Sequence, residues 1–179
     1  MDFTWYQEII NSNNIEQGDL IVDCPIIIPP SKIEEGDEPE IEIKLVNSII
    51  LSQSCDLINN KIDIVLVCPY YPLKVFIENT PEEQQSKKAI KKNIENLTKG
   101  HLAGYHLLNK YNDLKINDYI VVDFRNVYGI EINNLKDIAE KQERRIRLLP
   151  PYREHLSQAF ARYFMRVGLP QDIIIEGYY

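Results

Sequence analysis

The sequence is short of cysteine, and its cysteines are not spaced like those of a familiar motif. The 179 residues contain three, Cys24, Cys55 and Cys68, and no two of them form a CxxC pair. An odd number of cysteines cannot all pair in disulfides, which excludes a simple disulfide framework. Their wide spacing also lacks the close ligand pairs of structural zinc sites. We therefore expect free thiols in a reducing cytoplasm, with no metal ion and no cofactor.

Long apolar runs and a surplus of positive charge are also missing. No run approaches the ~20 apolar residues that span a membrane, and the chain does not open with a basic stretch followed by an apolar core. We expect no signal peptide and no membrane contact. The net charge of -7 excludes a protein that binds nucleic acid through its overall charge. A local cluster of cations can still attract phosphate.

What is present is the composition of an ordinary globular domain, with 44% hydrophobic and 26% charged residues. This length suffices for one domain over residues 1–179. Apolar runs, apolar–polar alternation and the turn residues between them predict mainly β-structure. The predicted strands are residues 20–28, 41–51, 62–68, 105–108 and 118–124, with a further short strand within 126–132.

The middle of the chain carries the signals of a helix. Thr80 can cap it, Pro81 fits its first position, and Glu83 completes a capping box. Gly100 is placed to end it. We interpret this helix, residues 80–100, as an insertion on the surface of a β-core.

Three other segments are predicted to be helical. Residues 2–11 form a short helix, residues 134–141 a helical turn, and residues 151–167 a C-terminal helix with one apolar face. Polar side chains recur at helical steps on another side of the last helix. They are His155, Gln158, Arg162 and Arg166.

In this order the elements resemble the MazF/PemK family of bacterial toxins. The matching pieces are the opening turn Gly18-Asp19, residues 49–53, 65–69, 105–108 and 121–127, and the last helix. The resemblance covers roughly residues 17–169 without the insertion. It implies an α+β fold, a small SH3-like antiparallel β-barrel with a helical insertion and a C-terminal helix. It also implies a homodimer that acts on single-stranded RNA in a toxin–antitoxin or phage-defence system.

The two positions that carry catalysis in that family hold other residues here. The family has an arginine before the second strand and a threonine or serine after the third, whereas this chain has Lys44 and, after Pro69, Tyr70 and Tyr71. Lysine supplies charge without the planar fork of arginine. Tyrosine, with an ordinary pKa of about 10, is a poor base at neutral pH. The candidate catalytic residues are Lys44, Gln53, Tyr71 and His106.

Residues 52–56, with the sequence SQSCD, follow an apolar strand and consist of small hydrogen-bonding side chains. One interpretation is a binding site for a base edge or a phosphate, formed by Ser52, Ser54, Cys55 and Asp56. The other is a turn, because serine and aspartate side chains bond nearby backbone amides. Cys55 with His106 as its base also fits a thiol nucleophile, although no glycine-rich oxyanion motif accompanies them.

Arginine is concentrated toward the C-terminus, where six of the seven arginines lie between residues 139 and 170. Arginine beside aromatic residues suits phosphate contact and stacking on single-stranded RNA. The candidates for this role are Arg125, Arg145 and Arg153. The alternative is an arginine network that ties the last helix to the acidic body of the protein.

Two functions follow from these observations. In the first, residues 18–124 form a closed β-structure, and residues 53–56 lie beside residues 70–71 at one opening of it. This opening binds single-stranded RNA and, if the protein is an active enzyme, cleaves it. In the second, the barrel is catalytically inactive and serves as an interaction subunit for a protein partner, an antitoxin or a member of a defence complex. The apolar tail at residues 171–179 favours the second function.

Overall fold

The structure, a computed structural model, describes residues 4–34, 36, 38, 40–81, 84–111 and 117–165. Its strands are β1 (Tyr6–Ile10), β2 (Asp19–Ile28), β3 (Glu42–Ile50), β4 (Ile64–Pro72), β5 (Tyr105–Leu108), β6 (Ile120–Asp123), β7 (Tyr128–Glu131) and β8 (Arg144–Leu148). Its helices are α1 (Ser54–Ile58), α2 (Leu73–Glu78), α3 (Lys87–Thr98), α4 (Ile132–Lys141) and α5 (Tyr152–Phe164). Helices and an antiparallel sheet confirm the α+β class.

The strands pair antiparallel in the order β1-β8-β2-β3-β4-β6-β5, and β7 pairs with β4. β4 is the central strand, since it contacts β3 through residues 67–69, β7 through residues 64–67 and β6 through residues 70–72. Residues 24–28 and 42–46, which we call the ribbon, pair with each other beyond the last β3–β4 pair. This pairing leaves the ribbon projecting from the sheet.

The sheet is open, so the predicted closed barrel is not confirmed. β1 and β5 end the strand order, and no backbone pairing joins these two strands within the described ranges. They approach each other through side chains. The Tyr6 hydroxyl donates a hydrogen bond to the carbonyl oxygen of Asn109 at 2.6 Å, and the Tyr6 and Tyr111 rings meet edge to face at 5.5 Å. A gap therefore remains beside the outer edge of β5.

Two apolar cores form on opposite faces of the sheet because the strands alternate. Leu20 and Ile49 belong to the core that α5 covers with Leu156, whereas their neighbours Ile21 and Ile50 belong to the core under α4. Burying one such side chain fully contributes about 1.5–3 kcal/mol. The period-2 pattern of the sequence therefore supplies both cores at once.

The turn before β2 requires glycine. Gly18 has a φ of +86°, and a Cβ atom at this position would lie 3.0 Å from Cβ of Leu148. Residues other than glycine rarely adopt this conformation. The Gly18-Asp19 turn is thus explained by its close approach to β8.

The strand predictions agree with the structure more closely than the helix predictions. The predicted strands over residues 20–28, 41–51, 62–68, 105–108 and 118–124 correspond to β2, β3, β4, β5 and β6, and the short strand within 126–132 corresponds to β7. The helical turn at 134–141 is confirmed within α4, and the C-terminal helix within α5. Arg166, the end of the predicted last helix and the tail at 171–179 fall outside the described residues.

Two helix predictions were wrong in part or in whole. Residues 6–10 form β1, not a helix, because they pair with β8 from the far end of the chain. The inserted helix begins at Lys87, not after Thr80, since the Ser86 hydroxyl accepts a hydrogen bond from the Ala89 amide. The Thr80 hydroxyl instead donates to the Phe76 carbonyl at 3.0 Å. Glu83 lies outside the described ranges.

Candidate functional site

A pocket of about 800 Å³ lies at the outer edge of β5, which we call the edge pocket. Within the described chain β5 pairs only with β6, so this edge carries no further strand. β5, the end of α3 and one side of α5 form the walls. The polar lining residues are Thr98, Lys99, His106, Asn109, His155, Gln158 and Arg162, and the aromatic ones are Trp5, Tyr105 and Tyr119.

The charge of the edge pocket is positive, although the protein as a whole is acidic. Among the described residues that line it, none is an aspartate or a glutamate. In the part of the chain that the structure describes, no carboxylate forms an ion pair with Lys99, and Arg162 donates only to the carbonyl of Gln158, at 3.3 Å. Cations without carboxylate partners are available to an anionic ligand.

Local structure explains how these cations reach the pocket. Lys99 is the C-cap of α3, and Gly100 follows with a φ of +69°, which turns the chain at the pocket wall. His155, Gln158 and Arg162 are spaced by three and four residues, so they share one side of α5. Leu156 lies in the core on the other side of this helix.

His106 is the titratable group deepest in this pocket. Its ring stacks on Phe124 at 6.2 Å, with an interplanar angle of 20°. Burial lowers the pKa of His106 to about 4, and the charges of His155 and Arg162 act in the same direction. The imidazole is therefore neutral at physiological pH and can accept a proton or a hydrogen bond.

Aromatic rings supply flat surfaces at the same place. Trp5 stacks on Tyr152 with ring centroids 3.5 Å apart and an interplanar angle of 8°. Tyr119 is 42% exposed. Rings that are held in place and partly exposed are suited to stacking on a planar heterocycle, such as a nucleobase.

A second polar cluster lies behind β5 and adjoins the edge pocket through Tyr105. Asp123, which is 3% exposed, accepts hydrogen bonds from Nε and Nη2 of Arg125 at 2.9 and 2.7 Å. The guanidinium carbon lies 4.5 Å from the centroid of the Tyr105 ring. Tyr71 lies close enough to Tyr105 for the two hydroxyls to influence each other's pKa. We call these four residues the Arg125 cluster.

The electrostatics of the Arg125 cluster keep its groups in fixed states. The hydrogen bonds that Arg125 donates to Asp123 raise the pKa of Arg125, which stays charged. Burial, together with the charge of Asp123, raises the pKa of Tyr71 well above its ordinary value. Tyr71 is then a protonated donor at neutral pH and not a base. The predicted residues Tyr71 and Arg125 are thus brought together, and the raised pKa of Tyr71 does not suit it to proton abstraction.

Residues 52–56 form neither a simple turn nor part of the edge pocket, since residues 54–56 open α1 and the serine hydroxyls bond amides distant in the chain. The Ser52 hydroxyl accepts a hydrogen bond from the Leu66 amide at 2.9 Å, and the Ser54 hydroxyl accepts one from the Gln17 amide at 3.1 Å. The Cys55 thiol contacts Oδ1 of Asp56 at 3.7 Å. These bonds close α1 against neighbouring segments, so the serine hydroxyls are used within the fold.

The predicted meeting of residues 53–56 with residues 70–71 does not occur. Ser52 lies beside Leu66, four residues before Tyr70 on β4, which separates the two positions by about 13 Å along the strand. β4 and β6 also lie between β3 and β5. Cys55, on α1 after β3, therefore has no contact with His106 that would make it a thiol nucleophile.

The other predicted catalytic residues are also dispersed. Lys44 is exposed on the ribbon and pairs with Glu42 at 3.4 Å. Gln53 is the N-cap residue of α1 and its side chain is exposed. Neither residue lines the edge pocket. Of the four candidates, His106 lies in this pocket and Tyr71 in the adjoining cluster.

Arg145 is a correction to the predicted binding residues, because its side chain is 0% exposed. Its guanidinium donates to Oδ2 of Asp19 at 3.1 Å and to the Asn14 carbonyl at 2.6 Å. Arg147 bonds the same Asp19 carboxylate and also Glu16. We call Asp19, Glu16, Arg145 and Arg147 the buried ion cluster. It fixes the segment before β2 against β8.

Arg153 takes part in the same kind of network at its edge. It pairs with Glu154 at 3.0 Å and with Glu16 at 3.7 Å, and its side chain is 23% exposed. The alternative interpretation of the arginine-rich segment, a network between the last helix and the acidic body, therefore describes Arg153, which joins α5 to Glu16, whereas Arg145 lies on β8 and forms a buried network of its own. It does not describe Arg162.

The described residues hold no cluster of three or more His, Cys, Asp or Glu side chains that could bind a metal ion. Cys24 and Cys68 are buried, and burial raises the pKa of their thiols to about 11 and about 12. No described helix has the length and apolarity that crossing a membrane requires.

Sequence reasoning missed Lys99, Tyr105 and Asp123 as parts of a site. The spacing of His155, Gln158 and Arg162 was the available signal, but the edge of β5 that faces it is visible only in the fold. Comparison with protein-family models, with curated proteins and with solved structures found no match to this chain.

Proposed function

We propose that the protein binds single-stranded RNA in the edge pocket. The observation that carries the proposal is a pocket of about 800 Å³ whose described lining has cationic and aromatic side chains and no carboxylate. Lys99 and Arg162 supply charge for a phosphate, and Trp5 and Tyr119 supply rings for a base. Proteins recognise single-stranded RNA through this combination of cations and stacking.

The distribution of charge favours a single strand over a duplex. The net charge of -7 disfavours a duplex binder that relies on the charge of the whole protein. A recessed pocket admits an unpaired base, whereas the bases of a duplex are stacked and paired inside it. His106, held neutral by burial, can accept a hydrogen bond from a ribose hydroxyl or a base edge.

The resemblance to the MazF/PemK family supports the same proposal. In this interpretation the open sheet corresponds to the SH3-like barrel of the family, with the edge pocket at the gap. The protein then acts in the cytoplasm as a homodimer, in a toxin–antitoxin or phage-defence system. Because the catalytic arginine and threonine of the family are replaced, RNA binding is the activity proposed, and cleavage is a separate question.

The binding test uses a fluorescent single-stranded RNA of about 12 nucleotides, a length within the site sizes of single-strand binders. We expect the double substitution Lys99→Ala and Arg162→Ala to raise the Kd, measured by anisotropy, about tenfold. The matched control is Lys61→Ala with Lys87→Ala, which removes the same charge from two exposed residues outside the pocket. The control should change the Kd less than about twofold. Equal losses in both double variants would overturn the proposal.

Cleavage is measured on the same RNA with the wild-type protein, His106→Ala and Gln53→Ala. Cutting that is lost in the His106 variant and retained in the Gln53 variant would place catalysis in the edge pocket, because Gln53 lies on α1 outside it. RNA left intact by the wild-type protein would restrict the function to binding.

A second function, that of an interaction subunit, is favoured by the ribbon. Ile27 lies opposite Ile43 and Pro25 opposite Leu45 in the β2–β3 register, so these side chains share a face. Ile27, Ile43 and Leu45 are 64%, 61% and 66% exposed. Contiguous exposed apolar side chains of this kind mark protein–protein contacts.

Sedimentation velocity tests this second function through self-association. If the ribbon joins two copies, Ile43→Asp gives a monomer, while Ile58→Asp, a change of equal chemistry at a residue that is 58% exposed on α1, leaves the dimer intact. A wild-type protein that is monomeric throughout the measured concentrations would exclude the ribbon as a homodimer contact.

A further inference from the structure

We propose that the RNA-binding surface continues from the edge pocket across Tyr105 to Arg125, where the guanidinium binds a second phosphate of the strand. This inference rests on the proposed function and extends it, because it assigns a length and a direction to the bound RNA. The strand would pass over β5, with one phosphate at Lys99 and Arg162 and another at Arg125.

Continuity between the two places is provided by Tyr105. Its side chain lines the edge pocket on one side, and on the other its ring lies 4.5 Å from the guanidinium carbon of Arg125. The residue before Tyr105 in the chain is a glycine, Gly104. A Cβ atom on Gly104 would lie 3.1 Å from Cγ and 3.3 Å from Cδ of Arg125, so the arginine stem runs directly over this residue.

Arg125 is held in one orientation before any ligand arrives. Asp123 is nearly fully buried, and both of its oxygens accept hydrogen bonds from the Arg125 side chain. Asp123 also accepts a bond from the Arg125 amide at 3.0 Å and one from Nδ2 of Asn126 at 3.3 Å. An arginine whose side chain is already fixed loses less conformational entropy when it binds an anion.

Donors remain for a phosphate after these bonds are formed. The side chain of Arg125 is 53% exposed. Nη1 donates to no acceptor within the described ranges, because the side-chain bonds of Arg125 use Nε and Nη2. The outward edge of the guanidinium thus presents N–H groups to solvent, in the planar arrangement that pairs with phosphate oxygens.

The Arg125–Asp123 pair also has a plainer explanation, in which it only closes the turn between β6 and β7. That role needs the bonds to Asp123 and nothing from the outward edge of the guanidinium. The two explanations differ in salt dependence, since a phosphate contact releases counterions and a turn contact does not.

The test measures how the Kd of the RNA of about 12 nucleotides depends on salt, for wild type and Arg125→Gln. We expect Arg125→Gln to raise the Kd about fivefold and to reduce the slope of log K against log salt by about 0.7, the value of one contact on a single strand. The Kd for a ribonucleoside monophosphate, which occupies only the edge pocket, should not change.

Two further variants test whether the effect depends on the guanidinium group of Arg125 or only on a positive charge. Arg125→Lys keeps the charge and loses the fork, so the salt slope should be retained while the Kd still rises. Lys61→Gln removes an exposed charge outside both places and should leave slope and Kd as in the wild type. Thermal unfolding of each variant checks that the fold is intact. We expect an intact fold because Arg125 lies on the surface.

The outcomes distinguish failure of this inference from failure of the proposed function. Wild-type protein that binds neither the RNA nor the monophosphate would remove the proposed function and the extension with it. Wild-type binding with an unchanged slope and Kd in Arg125→Gln would remove the extension alone. An equal loss for RNA and for the monophosphate would show that Arg125 acts on the pocket and does not bind a second phosphate.

Discussion

The buried ion cluster and the edge pocket use the same kind of residue for opposite purposes. Arg145 and Arg147 are enclosed, and Asp19 accepts hydrogen bonds from both of them. Arg162 is exposed on α5, and the described residues that line the edge pocket with it include no carboxylate. The comparison shows that the carboxylates within reach, and not the density of arginine along the chain, decide which arginines stabilise the fold and which can bind a ligand.

The desolvation of charge explains why the buried ion cluster needs so many partners. An arginine taken out of water is tolerated only when its donors are bonded and its charge is opposed. Asp19 and Glu16 supply the charge, while the carbonyl of Asn14 accepts hydrogen bonds from both guanidinium groups. Such an assembly is costly to break and unavailable to RNA.

The largest effect is expected from removal of the shared carboxylate. Asp19→Ala leaves Arg145 and Arg147 buried without their common partner, and the free energy of unfolding, measured by urea denaturation, should fall by about 3–5 kcal/mol. Glu42→Ala is the control, because Glu42 pairs with Lys44 on the exposed ribbon. Its effect should stay below about 1 kcal/mol. Similar losses in both variants would remove the distinction between the two regions.

A smaller loss of stability is expected when the pH is lowered, because His106 in the edge pocket titrates differently in the folded and unfolded protein. Because the folded-state pKa of His106 is about 4, the unfolded chain takes up this proton near pH ~6.5 and the folded protein does not. Stability from His106 is therefore present above pH ~6.5 and is lost as the pH falls to about 4, by at most about 3 kcal/mol.

The variant His106→Gln checks this pH dependence. The difference in unfolding free energy between wild type and variant should shrink or reverse between pH ~6.5 and pH ~4, because the variant lacks this titration while the other groups are shared. Parallel curves across this window would contradict the burial-driven shift of His106.

The smallest change in unfolding free energy is expected when an arginine is replaced by lysine, which keeps the charge. Arg147→Lys loses the fork that bonds Asp19 and the Asn14 carbonyl, so the unfolding free energy should fall by about 1–2 kcal/mol. Arg162→Lys should change it by less than about 0.5 kcal/mol. If urea denaturation showed a larger loss of unfolding free energy for Arg162→Lys than for Arg147→Lys, the contrast between the two regions would be reversed.

The strands were predictable because their signal is local. Residues 105–108 and 118–124 carry the apolar runs of strands, and they form β5 and β6. Residues 6–10 carry no such clear signal and become β1 through pairing with β8. The start of α3 was misjudged for a related reason, since Thr80 and Ser86 are both suitable caps and the local sequence does not choose between them.

The candidate site was predictable in its members only in part. His106, Tyr71 and Arg125 were identified, and the structure places His106 in the edge pocket and the other two in the adjoining cluster. Lys44, Gln53 and Arg145 were grouped with them by their chemistry, but the fold sends them to the ribbon, to α1 and to the interior. Residue type indicates what a side chain can do, and not which neighbours it will have.

What could be known from the order of amino acids was therefore the antiparallel β-rich body, the glycine turn before β2 and the polar stripe on α5, since each depends on residues close together in the chain. Pairing of charges depends on residues far apart. Asp19 meets Arg145 and Arg147 across more than a hundred positions, and α5 meets β5 at the gap of an open sheet. Which arginines are neutralised and which remain available to a ligand follows from those long-range contacts.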